Sequence, residues 1–140
     1  MAEPRILFVC LHGAAKSVIA ATHFRRLAER RGLRVDATFA GTEPDAHIAP
    51  RVVKELLAEG IDVQGLRPRQ VSSDDVASAM RIVTFGCDLA PLGPTVDVDR
   101  WDDVPAVSDG YEAAREAIDA RVGRLVEELE AGGAGTRPRA

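Results

Sequence analysis

The chain has 140 residues, 46% hydrophobic and 29% charged, with a net charge of −4 and a pI of about 5.4. That length fits one domain with a full hydrophobic core, and the acidic balance with only 4% aromatics argues against a sequence-independent nucleic-acid binder. No apolar run approaches the roughly 20 residues of a membrane-spanning helix. No secretory signal pattern opens the chain, and its two cysteines do not make a disulfide framework, so a cytoplasmic protein with buried, catalytic or redox-active thiols is expected.

In chain order, residues 5–10 (Arg-Ile-Leu-Phe-Val-Cys) form a continuous apolar run of the kind that makes a central parallel strand buried on both faces. Residues 16–31 carry Ala20, Phe24, Leu27 and Ala28 at helical spacing, and Gly32 closes that helix. Val35 to Phe39 read as a second strand, ended by Ala40-Gly41, and a loop from Thr42 to Ala49 leads to Pro50 in the first turn of a helix. Val52, Val53, Leu56 and Leu57 make its apolar face, and Gly60 stops it. Residues 61–71 are irregular. Ser73 is the expected N-cap of a short helix reaching about Ala79, with Asp74 and Asp75 at its positive end. Met80 to Phe85 read as a third strand and Thr95 to Trp101 as the region of a fourth. After a loop over 102–110, Tyr111, Ala114, Ile118, Val122, Leu125 and Leu129 define a long amphipathic helix. The domain is expected to span 1–131, with residues 132–140 as a flexible tail lacking a core face.

Strands alternating with helices imply a single-domain, three-layer α/β fold: a parallel sheet with helices on both faces. Ligands of such sheets bind beyond the carboxyl ends of the strands. Cys10 stands at such an end, followed by Leu11, His12, Gly13, Ala14 and Ala15, then by Lys16-Ser17 and a helix. This order suits an oxyanion held beside a thiolate. Loop amides and the helix N-terminus would face the anion, and a cation and a helix terminus both favour the thiolate. Ser17 can donate to the sulfur, Lys16 adds positive charge, and Gly13 fits a left-handed backbone position. His12 has two readings: a partner of the substrate or thiolate, or a solvent-facing side chain. The three histidines lack ligand spacing, so no metal is expected. Asp97, Asp99, Asp102 and Asp103 read as an exposed acidic loop.

Ile6 to Cys10 with Lys16-Ser17 resembles the N-terminal signature of the low-molecular-weight protein tyrosine phosphatases, whose loop reads Cys, five residues, Arg, Ser. Residues 39–44, 59–63 and 82–88, the Trp101…Pro105-Ala106 loop and the last helix extend the likeness toward the arsenate reductases of the same fold. The resemblance implies a four-stranded parallel sheet and attack by Cys10 on phosphorus or arsenic. A phosphatase would hydrolyse a cysteinyl-phosphate. A reductase would form a cysteinyl-arsenate that a second thiol resolves.

Three positions depart from that pattern. Lys16 stands where the family has arginine, exchanging a bidentate fork for a point charge. Gly13 replaces a loop-ordering asparagine. Val104 occupies the place of the general acid before Pro105, with Asp103 displaced by one residue. Without an acid, ester hydrolysis loses roughly 10²–10⁴-fold, whereas arsenate exchanges readily with thiols. Cys87 matches the first of two late cysteines in the thioredoxin-linked reductases, and residues 88–93 supply no second. The resolving group is then Cys87 itself, through a Cys10–Cys87 disulfide, or an external thiol such as thioredoxin or a small thiol. The competing reading of Cys87 is a buried small hydrophobe.

The leading expectation is arsenate reduction with no cofactor beyond a thiol reductant. Its partners would be phosphate, arsenate or a phosphoester, and neither nucleic acid nor membrane. The alternatives are a low-molecular-weight phosphatase and a catalytically impaired oxyanion-binding or regulatory module. The catalytic set in the leading reading is Cys10, Lys16, Ser17, Asp103 and Cys87, with Leu11 to Ala15 as the oxyanion loop.

Overall fold

The computed structural model describes residues 4–132. Four strands, β1 (Arg5–Cys10), β2 (Asp36–Gly41), β3 (Arg81–Thr84) and β4 (Val98–Arg100), form one sheet in the order β2-β1-β3-β4. All three pairings are parallel, as the alternation of strands and helices predicts. Four helices complete the fold: α1 (Lys16–Arg30), α2 (Pro50–Ala58), α3 (Ser73–Ser78) and α4 (Tyr111–Ala131). No helix among the described residues is long and apolar enough to cross a membrane. Of the expected tail, residues 133–140 lie outside the described residues.

The strand β1 is central because both its faces are apolar. Ile6, Phe8 and Cys10 pack with Val18, Ile19 and Phe24 of α1, Val52 and Leu56 of α2, and Ile118, Val122 and Leu125 of α4. Leu7 and Val9 point the other way, into a smaller core with Val71, Val76 of α3, Ile82, Cys87 and Leu89. This alternation is the two-residue period of a strand buried on both sides. The two cysteines therefore belong to different layers. The chain runs from β1 outward to β2, then returns to β3 on β1's other side, so the strand order reverses at β1. The carboxyl ends of β1 and β3 border the crevice where ligands of such sheets bind.

Several boundaries differ from the sequence expectation. β3 is Arg81–Thr84, not Met80 to Phe85, limited to its pairing with Ile6 to Val9. β2 runs from Asp36 to Gly41, not from Val35 to Phe39, because pairing with β1 continues to Cys10↔Gly41. β4 is only three residues long, set by its pairing with Ile82 to Thr84. The N-cap of α3 is Ser72, not Ser73. Ser72 Oγ accepts from the Asp75 amide at 3.1 Å, and the Asp75 carboxylate accepts from the Ser72 amide at 2.9 Å. That reciprocal box needs an acceptor three residues on; from Ser73 the same step reaches Val76, which is buried in the core.

Candidate active site

At the end of β1 the backbone turns through Leu11 to Ala15 into α1. Gly13 has φ +59°, the left-handed region that a side chain disfavours. A Cβ there would also lie 2.7 Å from the Gly41 amide nitrogen, and one on Gly41 would lie 2.6 Å from the Gly13 nitrogen. Two glycines are thus needed for the loop to lie against the end of β2. The requirement at Gly13 is foreseeable from the loop. The requirement at Gly41 arises only from the register that sets it beside Cys10.

The loop carbonyls are clamped from outside by the segment after β2. Thr42 donates to Cys10 O at 3.3 Å, Glu43 to Leu11 O at 2.7 Å, Asp45 to His12 O at 3.1 Å and Ala49 to Ala14 O at 3.0 Å. Among the described residues, no protein acceptor is taken by the amides of Leu11 to Ser17. The first turn of α1 has no side-chain cap, with Ala15 in the N-cap position. Free amides beside an uncapped helix terminus attract an anion.

Cys10 is buried, with its Sγ 3.0 Å from Ser17 Oγ. Ser17 is itself fully buried, and this is its side-chain hydrogen bond. Lys16 Nζ donates to the Val104 carbonyl at 3.0 Å, joining the loop after Cys10 to the segment after Trp101. A cavity of about 630 Å³ opens over Cys10. Leu11, His12, Ala14, Ala15 and Lys16 line it together with Ala49, Pro50, Arg51, Phe85, Val107 and Ser108, and Asp45 joins them beside His12.

Residues 5–90 match the family model of the low molecular weight phosphotyrosine protein phosphatases. The chain belongs to this family. It is 35% identical over 132 residues to a Halobacterium salinarum protein named "Putative arsenate reductase", covering 87% of this chain and 90% of that one. Its fold superimposes on a thioredoxin-dependent arsenate reductase of Corynebacterium glutamicum with a TM-score of 0.79 and 26% identity. The match covers 93% of this chain but only 63% of that protein. YfkJ of Bacillus subtilis gives a TM-score of 0.78 at 24% identity, covering 94% and 98% of the two chains, which shows the shared fold.

Within this family frame, the two remaining residues of the expected catalytic set lie apart from the cavity. Asp103 is exposed and bonded to Arg121 of α4, whose guanidinium also sits 5.8 Å over the Trp101 ring. The hydrogen bond from Arg121 holds the Asp103 carboxyl below the usual carboxylate range, so it is ionised at neutral pH. Cys87 is buried in the opposite layer from Cys10, and its thiol donates to Val9 O at 3.4 Å. Burial pushes its pKa up, which keeps it a thiol. Three of the four acidic residues, Asp99, Asp102 and Asp103, pair with separate arginines, Arg81, Arg100 and Arg121.

Sequence reasoning missed Asp45, Arg51, Phe85 and Ser108 as cavity residues. Asp45 and Arg51 flank the expected loop and helix start, but nothing local says that this segment folds over the Cys10 loop. Phe85 arrives from β3, edge-on to the buried Trp101 at 5.7 Å between ring centres.

Proposed function

We propose that this protein reduces arsenate through an adduct on Cys10 that an external thiol resolves. The observation that carries the reading is Cys10 Sγ 3.0 Å from Ser17 Oγ, followed by a loop whose amides take no protein acceptor, with no aspartate from the Trp101 loop on the cavity wall. The thiolate attacks arsenic, an S–As bond forms, and an As–O bond breaks with its electron pair on the departing oxygen, which leaves as water. An external thiolate then attacks the Cys10 sulfur. The S–As pair goes to arsenic, releasing arsenite and leaving a mixed disulfide. A second thiol equivalent restores Cys10. Arsenate tolerates the absence of a loop aspartate better than a phosphate ester does, because its oxygens exchange readily.

An external thiol is preferred to Cys87, because that thiol is buried, bonded to a carbonyl and raised in pKa. The thioredoxin-dependent relative makes a dithiol protein one candidate class of reductant, and a small thiol is the other. Wild-type protein, Cys10→Ser and Cys87→Ser are each given arsenate and reductant, and arsenite is measured. Loss in Cys10→Ser with retention in Cys87→Ser is the expected pattern. Unchanged arsenite formation in Cys10→Ser would remove the mechanism.

One observation favours a second reading, a phosphatase for aryl or similar organic phosphates. The cavity wall contains Leu11, Pro50, Phe85 and Val107, more apolar surface than an inorganic ion uses. Its test is aryl-phosphate hydrolysis that depends on Cys10.

A further inference from the structure

An oxygen leaving arsenic or phosphorus departs more easily when it is protonated as it goes, and the family's acid position holds Val104. The charged and hydroxyl groups on the cavity wall beside Cys10 are His12, Lys16, Asp45, Arg51 and Ser108. Arg51 does not give up a proton, and a serine hydroxyl is a weak acid. Lys16 donates to the Val104 carbonyl. His12 and Asp45 remain, and they face each other.

His12 Nδ1 lies 3.0 Å from the Glu43 carbonyl oxygen and 3.4 Å from Asp45 Oδ1. A carbonyl only accepts, so Nδ1 carries a hydrogen and Nε2 is the ring nitrogen left for other work. The backbone repeats the same pairing. Glu43 donates to Leu11 O and Asp45 to His12 O. One three-residue segment therefore fixes both the loop at His12 and the orientation of its ring.

We propose that His12 is the proton donor to the oxygen leaving the oxyanion, with Asp45 and the Glu43 carbonyl as its positioning groups. The proposal rests on the reading that Cys10 forms the adduct. The ring starts the step as imidazolium, protonated on both nitrogens. As the S–As or S–P bond forms and the bond to the departing oxygen breaks, that oxygen keeps the electron pair and takes the Nε2 proton. Neutral imidazole remains, hydrogen-bonded through Nδ1, and regains its proton from water. The donor thus comes from the oxyanion loop, not from the loop after Trp101.

The test is the rate of Cys10 adduct formation, by rapid quench and mass spectrometry, with aryl phosphates whose phenols range from strongly to weakly acidic. His12→Gln and Asp45→Asn are compared with wild type, and Cys10 alkylation by iodoacetamide reports the thiolate separately. His12→Gln is expected to match wild type for the most acidic phenol and to lose about 10²-fold or more for the least acidic. Asp45→Asn should show the same trend more weakly, in kcat and not in KM, with alkylation unchanged in both variants. Equal losses across all phenols, accompanied by slower alkylation, would mean that His12 acts on the thiolate and would overturn the proposal. So would no loss in His12→Gln, or a wild type that makes arsenite but forms no adduct from any ester. A slope steepened by His12→Gln in a protein that makes no Cys10-dependent arsenite would uphold the proton donor and remove the arsenate reading.

Discussion

The ends of β1 and β3 carry the two cysteines, and adjacent parallel strands treat them in opposite ways. Cys10 and Cys87 are both almost fully buried, at 7% and 8% exposure. Burial alone therefore does not distinguish them. Cys10 has a serine hydroxyl 3.0 Å from its sulfur and is followed by a loop of free amides and the start of a fifteen-residue helix. Cys87 faces a carbonyl oxygen in the opposite layer, beyond a glycine turn at Gly86 with φ +83°. Burial and the carbonyl acceptor favour the thiol at Cys87. The lesson is that the groups a burial presents, more than its depth, set what a cysteine can do.

Substituting each cysteine in turn separates the two most sharply. Cys10→Ser should abolish arsenite formation, while Cys87→Ser keeps most of it, measured in one assay with one reductant. A Cys87→Ser protein that stops after one adduct would reverse the assignment of the resolving thiol.

Next is the loop that supplies the donors. Gly13→Ala combines a left-handed φ with a Cβ 2.7 Å from backbone, and backbone atoms cannot rotate away. A loss of about 1–3 kcal/mol or more is expected, read as a lower urea midpoint, together with loss of phosphate protection against Cys10 alkylation. Gly41→Ala should behave alike, since each glycine occupies the space the other's Cβ would need.

Ser17→Ala removes the hydroxyl from Cys10, and alkylation of Cys10 at neutral pH should slow by about tenfold, the equivalent of one hydrogen bond to a charged group. Cys87 alkylation should stay slow in that variant unless the protein is unfolded. Lys16→Arg is expected to raise aryl-phosphate hydrolysis by about tenfold by restoring a bidentate grip. No rise would mean that the bond to the Val104 carbonyl, and not the chemistry at this position, fixes what residue 16 does.

Least is expected at the histidine buried on α1. His23 is buried, with neither ring nitrogen hydrogen-bonded, between Glu59 and Asp119 at 3.7 and 3.6 Å. Burial lowers its pKa below 6.5 despite those carboxylates, and Arg115 and Arg26 add to the lowering. The unfolded chain then binds the proton more readily than the folded one. Stability is complete above 6.5 and falls as pH drops through the lowered folded value. His23→Gln should flatten the urea midpoint between pH 7.5 and 5.5.

Much of this was legible in the sequence, for identifiable reasons. The apolar run of β1, the stripe of α4 and the Cys10-to-Ser17 spacing are local patterns, and local patterns fix strands, helices and a strand-loop-helix turn. The four-stranded parallel sheet followed from the alternation of elements and the family likeness. Asp103 shows where such reasoning stops. Its place in the chain offered it as an acid, but the neighbour that decides its use, Arg121, is eighteen residues away on α4. Ser72 shows the same on a smaller scale, since either serine is a sound cap until the buried side of Val76 is known.

The order of elements, the strand-loop-helix turn from Cys10 to Ser17 and the helix that follows are written locally, because each depends on residues within one turn or one strand of each other. Which groups look into the cavity is settled by packing across the whole fold. Asp45, Arg51 and Phe85 reach it from the β2–α2 loop, α2 and the end of β3, while Cys87 is turned into the other layer. The physical reason is that sheet register and layer assignment are set by burial summed over the whole core, and a side chain's neighbours across a sheet are written nowhere near it in the chain.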